Sequence, residues 1–303
     1  VRFTDGLVDA QTAWFARLDP MLPAAVHPPD GDVITAALPS GERAAGVVVA
    51  STLSPESTPS LWSALRVWEL HPLVGAAGMP ELLTQWQLMM SRRSPGADSS
   101  CLVTWPSRDA RATQAFLAHG LVPLSTLAIR TGPPVLSPGA LTVRRARTTD
   151  MEVALALATA ELEYSAQVGG TVLRAGSRRI KEAALGRHIA QGDPVFLAER
   201  DGIAVALAEC WFSDSTAGSW SETRLPHGRW GYVNSLSVTP DARGTGVGRE
   251  LMSVVHQELA RAGAERTFLY FNPPNPLSTV FWARQGYRPL WTIWETRPAS
   301  ALR

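Results

Sequence analysis

Arg243, Gly244, Gly246 and Gly248 fall within six residues, in the run Arg-Gly-Thr-Gly-Val-Gly, directly before an apolar-periodic stretch. A helix start presents unbonded N–H groups that carry partial positive charge and attract anions. Glycines let phosphate oxygens approach that backbone closely, and an arginine adds a planar cation suited to phosphate. The run therefore predicts a pyrophosphate cradle. It has no Gly-x-x-x-x-Gly-Lys-Ser/Thr pattern, and its Gly-x-Gly-x-Gly spacing is not that of a dinucleotide fold, so neither of those phosphate loops is expected.

The elements that must position this loop can be read around it. The residues Trp230–Val238 alternate as a strand before it, and Leu251, Val254, Val255 and Leu259 repeat with helical spacing after it, with Gly263 suited to the helix end. Upstream, residues 141–147 read as a strand, Asp150 as the N-cap of a helix to about Ala166, and residues 178–191 as a second helix. Asp201-Gly202 between two apolar runs predicts a hairpin. A strand at 267–271, a short helix and a final strand complete an α+β pattern.

This order occurs twice. Setting Gly120 against Gly286 brings Thr113, Pro123, Leu124 and Thr126 onto Thr279, Pro289, Leu290 and Thr292 without a gap. Further upstream Pro72 meets Pro240 and Gly78 meets Gly246. The Pro- and Gly-rich run at 131–140 reads as a linker, so two lobes are expected, residues 1–135 and 136–303.

Composition narrows the function classes. The chain has 303 residues, 45% apolar and 18% charged, with a net charge of +1. That is a globular composition, and the charge offers no footprint for nucleic acid or an anionic membrane. Two cysteines, Cys101 and Cys210, make a disulfide framework improbable and point to a reducing, cytoplasmic setting. No membrane-length apolar run or secretory leader pattern is present. The chain opens on Val1, so a start methionine or short leader is expected before it. The six histidines show no metal-ligand spacing, so no metal is expected. Lys181 is the only lysine among 28 basic residues, a bias ascribed to codon usage rather than to function.

The segment Leu236–Leu251, with its proline, arginine and glycines, resembles the acyl-CoA-binding motif of the GNAT N-acetyltransferase superfamily. Asn275, Ser278, Trp282 and Gly286-Tyr287 resemble a second motif of that superfamily. The doubled order is similar to tandem members, mycothiol synthase-like proteins among them. The resemblance implies two tandem GNAT lobes, each a mixed, mostly antiparallel sheet flanked by helices. It implies acetyl-CoA or another acyl-CoA as co-substrate, a small-molecule amine as acceptor and direct transfer in a ternary complex, in a monomer or homodimer. It assigns the pantetheine arm to the backbone of Leu236, Ser237 and Val238, and the pyrophosphate to Arg243, Gly244, Thr245, Gly246, Val247, Gly248 and Arg249. Asn275 and Ser278 would meet pantetheine, with a helix N-cap as the equal alternative for Asn275, and Phe281 and Trp282 would line the thiol end.

The catalytic pair of the superfamily is not carried over. Its glutamate and tyrosine positions hold Tyr232 and Trp282. Tryptophan has no useful acidity, and a tyrosine of ordinary pKa near ~10 is a poor base. Candidates for moving the proton are Tyr232, Asn234 and Ser235 through water, Tyr270, and Glu209, a carboxylate in an apolar run that needs a partner or a function. In the first half, Gly75, Pro80 and Asp109 stand where Arg243, Gly248 and Asn275 stand, so that lobe is expected not to bind acyl-CoA well. The polar run 213–229, flanked by Trp211 and Trp230 and holding Trp220, is a candidate cover for the acceptor pocket. Two rivals stand beside the enzyme: an acyltransferase that uses aminoacyl-tRNA, and a non-catalytic acyl-CoA-binding regulator.

Overall fold

Asp201 and Gly202 both adopt left-handed φ, 53° and 75°, the geometry of the tight turn that an Asp-Gly pair encodes. They join two strands of a large sheet in the computed structural model, which describes residues 5–135, 137 and 139–303. The first half runs α1 (Asp5–Leu18), β1 (Asp32–Ala37), β2 (Arg43–Thr52), β3 (Arg66–Leu73), α2 (Met79–Met90), β4 (Ser99–Pro106), α3 (Ala110–Ala118) and β5 (Val122–Arg130). The second runs β6 (Thr142–Arg145), α4 (Met151–Gln167), α5 (Ser177–Ala190), β7 (Val195–Arg200), β8 (Ile203–Ser215), β9 (Gly228–Val238), α6 (Val247–Arg261), β10 (Arg266–Phe271), α7 (Pro276–Arg284) and β11 (Arg288–Thr296).

The repetition extends to local geometry. Gly78 and Gly246 are the N-caps of α2 and α6, with φ of 96° and 92°. Asp109 and Asn275 cap α3 and α7 with their side chains, accepting from Ala112 N–H and from Leu277 and Ser278 N–H. Asp150 behaves differently from the expected cap. Its carboxylate is held by Arg144, at 2.7 and 2.9 Å, and by the Arg147 N–H, which closes a single 3-10 turn before α4. The arginine fork outcompetes the helix amides for the same oxygens.

All eleven strands of the described residues join one mixed sheet, in the order β1-β2-β3-β4-β11-β5-β10-β9-β8-β7-β6. Only β3·β4 and β9·β10 are parallel. The closing strands are exchanged between halves: β11 pairs with β4 and β5 pairs with β10. Each half thus completes the other's sheet, and the first hydrophobic core mixes both, with Trp68, Trp105 and Phe116 beside Trp291, Trp294 and Phe268. Both cysteines are buried and unbridged. Residues 136 and 138 of the expected linker lie outside the described residues. Its end is tied to α6 by the Leu141 N–H, which donates to Glu250.

A second core lies under α6. There His256 Nε2 and Thr267 Oγ1 each meet the Tyr287 hydroxyl at 2.9 Å. Burial, with the charge of Arg130 adding, holds the His256 imidazole down at about 3. An unfolded histidine protonates near ~6.5, so stability from the neutral ring is complete above that pH and is lost as pH falls from there toward the folded value. The urea midpoint of the wild type is therefore expected to fall more steeply below about pH 6.5 than that of His256→Gln, the two curves converging with acid. Parallel curves would contradict this.

Candidate active site

The β8·β9 ladder is in register as far as Glu209↔Ser235 and resumes at Cys210↔Val233, so Asn234 is the extra residue of a bulge. A bulge bends and twists its strand. On the other side, the parallel pairing of β9 with β10 ends at Val233↔Leu269. From Asn234 to Val238, β9 therefore runs on without a β10 partner, and the two strands splay. A cavity of about 1230 Å3 fills the opening. Residues 234–238 form one wall, so the backbone of Leu236, Ser237 and Val238 faces a groove with free sheet-edge hydrogen-bonding capacity.

The free edge leads into the glycine run. After a 3-10 turn at Pro240–Ala242, Gly244 and Gly246 take φ of 76° and 92°, and α6 begins at Val247. These left-handed positions favour glycine and swing the chain so that the first amides of α6 open onto the cavity. Residues 243–249 all line it. Gly248 serves a different purpose: a Cβ there would stand 3.3 Å from the Phe281 ring, so glycine lets α7 approach α6. Arg243 turns back to donate from Nε to the Val238 carbonyl at 3.1 Å and lies over the Tyr164 ring, 5.2 Å from its centroid. Thr245 accepts from Arg200.

On α7, the Asn275 carbonyl oxygen caps the helix and also accepts from the Tyr164 hydroxyl at 3.5 Å. Tyr164 thus spans the groove from α4 to α7. Ser278, Phe281 and Trp282 all line the groove, and Trp282 is at the same time largely buried, edge-on to Phe281 and Tyr287.

At the far end, Glu209 is 1% exposed and its Oε2 collects three hydrogen bonds. Lys181, 2% exposed, donates to its Oε2 at 2.6 Å, Asn234 donates at 3.0 Å and Ser235 at 3.5 Å. His188 lies 4.0 Å from the other oxygen, stacks on Trp211 at 4.4 Å and pairs with Asp193 at 2.7 Å. Glu209, Asn234 and Ser235 are thus gathered into one network. Tyr232 stacks on Phe268 at 4.6 Å with Tyr270 edge-on at 6.1 Å, and burial pushes the hydroxyls of both tyrosines above their ordinary value. Neither phenol is thereby favoured as a proton acceptor. The first half supplies Thr58, Pro59, Trp62, Leu124 and Ser125 to the same cavity.

Four side chains here were missed in the sequence: Glu161, Tyr164, Lys181 and His188. Only one signal could have found any of them. Lys181 breaks the chain's otherwise exclusive use of arginine, and the codon-usage account overlooks where it lies. The expected cover at 213–229 is corrected. Apart from its flanking Trp211, that segment supplies no wall of the large cavity. It packs away from it, with Leu225 in the first core, the Arg224 carbonyl accepting from Trp291 and the Arg224 guanidinium near Glu69.

The equivalent groove of the first half is filled by the chain itself. Gln11 of α1 donates to the Pro72 carbonyl and accepts from the Val74 N–H, taking up backbone groups at the end of β3. Trp14 donates to Asp109, and Phe15 packs edge-on against Trp105 and Trp291.

The model of the acetyltransferase (GNAT) family matches residues 163–287. A mycothiol acetyltransferase from Streptomyces bingchenggensis (strain BCW-1) is 29% identical over 177 residues, 58% of this chain and 50% of that protein. The chain spans about half the length of this curated relative. Two solved structures share the fold with a TM-score of 0.52 each. One is a GCN5-related N-acetyltransferase from Sphaerobacter thermophilus, 17% identical, covering 90% of this chain and 83% of that one. The other is a GNAT-family acetyltransferase from Colwellia psychrerythraea, 13% identical, covering 98% and 97%. No helix among the described residues is long and apolar enough to cross a membrane. The bulged, splayed strand pair and the glycine-led helix start both fall within the residues that match the acetyltransferase (GNAT) family model.

Proposed function

We infer that the protein is an N-acetyltransferase that moves an acetyl group from acetyl-CoA to an amine of a small molecule. One observation carries this reading: the unpartnered edge of β9 leads without interruption from a helix-start anion cradle to a cavity lined by carboxylates. Pantetheine amides pair with residues 236–238 as an added strand would. The pyrophosphate sits on the amides of residues 243–249, with Arg243, Arg249 and Arg284 supplying charge at the same mouth. Asn275, Ser278 and Phe281 flank the arm. An N–H of the free β9 edge meets the thioester oxygen, where negative charge develops as the amine attacks. Lys181, Asn234 and Ser235 hold the Glu209 carboxylate in place, and Tyr232 shapes the acceptor end.

The chain divides by function into residues 1–135 and 136–303. The first lobe binds no acyl-CoA, because α1 occupies its groove, and it serves by closing the acceptor end with Thr58, Pro59 and Trp62. The name of the similar mycothiol acetyltransferase is compatible with a small-molecule amine acceptor.

The test is CoA release from acetyl-CoA in the presence of benzylamine, tyramine, histamine, spermidine and glucosamine. Amine-dependent release by at least one of them is expected. Acetyl-CoA binding without release by any would point to a regulator instead.

A further inference from the structure

We propose that Glu161 is the residue that binds the incoming amine as an ammonium ion and takes its proton. This deepens the acetyltransferase reading and rests on it.

The charges at the acceptor end do not balance. Glu209 is matched by Lys181 at 2.6 Å, and His188 is matched by Asp193 at 2.7 Å. Glu161, on α4, lines the same cavity and makes no hydrogen bond or close ion pair among the described residues. It senses Lys181 and Glu209 only through their longer-range fields. The site therefore holds two carboxylates against one lysine, and the missing positive charge is that of a ligand.

Helical spacing gives the position meaning. Glu161, Tyr164 and Ser165 share one face of α4, and all three line the cavity. Tyr164 marks the pantetheine groove through Asn275 and Arg243. Glu161 lies one turn back from it and interacts electrostatically with Tyr232 on β9, toward the acceptor end. Trp62, Trp211, Tyr232 and Tyr270 wall that end with aromatic rings, which favour a cation on an apolar stem. The substrate class is a primary alkylamine that enters protonated.

The step balances simply. The Glu161 carboxylate accepts one proton from the ammonium and frees the nitrogen lone pair. That pair forms the N–C bond to the thioester carbon, and the C–S bond breaks toward sulfur. The second nitrogen proton goes to the departing thiolate through water, giving amide and CoA thiol, and Glu161 returns its proton to solvent. Burial raises the Glu161 carboxyl above its ordinary value, Lys181 opposes that and Glu209 adds to it. Lys181 from α5, Glu209 from β8 and Tyr232 from β9 interact with it electrostatically, and His188 from α5, Tyr270 from β10 and Tyr164 on its own helix line the same cavity.

The experiment uses the amine of the panel above with the highest kcat/KM. Glu161→Gln should lower kcat/KM by about 100-fold near neutral pH, with the loss shrinking as pH rises and the free amine becomes abundant. Its affinity for acetyl-CoA should stay within threefold of wild type. Glu161→Asp should recover part of the rate. A Glu161→Gln variant within threefold of wild-type kcat/KM at all pH values would overturn the proposal. So would parallel loss of acetyl-CoA binding, which would make Glu161 structural. Turnover of no amine by the wild type would overturn the acetyltransferase reading itself, and this proposal with it.

Discussion

Replacing Lys181 with methionine is expected to lower folding stability by about 3–5 kcal/mol, among the largest effects of any single substitution in this chain. The lysine and Glu209 are both withdrawn from water, at 2% and 1% exposure, and meet at 2.6 Å. Removing the ammonium leaves a carboxylate held by Asn234 and Ser235, whose neutral hydrogen bonds do not replace a cation. The damage comes from the stranded charge, so it should be largely undone by a second change that neutralises the partner. Lys181→Met with Glu209→Gln is expected to recover more than half of the loss. Lys181→Arg should not be neutral either, because a planar fork does not replace a point donor aimed at a single oxygen in a closed space. Urea unfolding of the four proteins measures all of this. A loss below about 1 kcal/mol for Lys181→Met would show that the pair is wetter than its geometry implies.

The second large effect is expected in ligand binding. Gly246 is the N-cap of α6 at φ of 92°, where a β-branched residue is strained. Gly246→Val must either bear that strain or relax the turn and misdirect the amides of residues 247–249. Acetyl-CoA affinity should fall about 100-fold, equivalent to roughly 3 kcal/mol. Its equivalent Gly78→Val should leave acetyl-CoA affinity unchanged and act on stability alone, because a Cβ there would stand 2.8 Å from the Ala44 side chain. Calorimetry on both variants separates a ligand cradle from a structural turn. Equal, small effects on binding would remove the cradle reading.

What the sequence made legible was local. The Asp201-Gly202 turn, the glycine run before α6 and the Asn275 cap all depend on residues within a few positions of one another, and the repeated order is a comparison of such local patterns. The exchange of β5 and β11 was not legible. An antiparallel closing strand presents the same alternation to either neighbouring parallel strand, so no residue pattern of β5 or β11 distinguishes the two partners. The acceptor end was legible on its strands, at Glu209, Tyr232, Asn234, Ser235 and Tyr270, but not on its helices. The partner of Glu209, Lys181, comes from a helix 28 residues earlier, and Glu161 from another, so periodicity could not place either beside it. The plug of the first groove by Gln11 and Trp14 likewise depends on contacts 61 and 95 residues apart. The segment 213–229 looked like a pocket cover because it is polar and long. Leu225 and Arg224, embedded in it, decided otherwise by anchoring to the first half.

The central claim is a single acetyl-CoA site, built on β9 and α6 of the second half. Calorimetric titration of acetyl-CoA into the full chain tests it most directly. The structure predicts one molecule bound per chain, with affinity weakened by Arg243→Ala. Two molecules per chain would show that α1 yields the first groove to ligand, and no binding at all would contradict the claim outright.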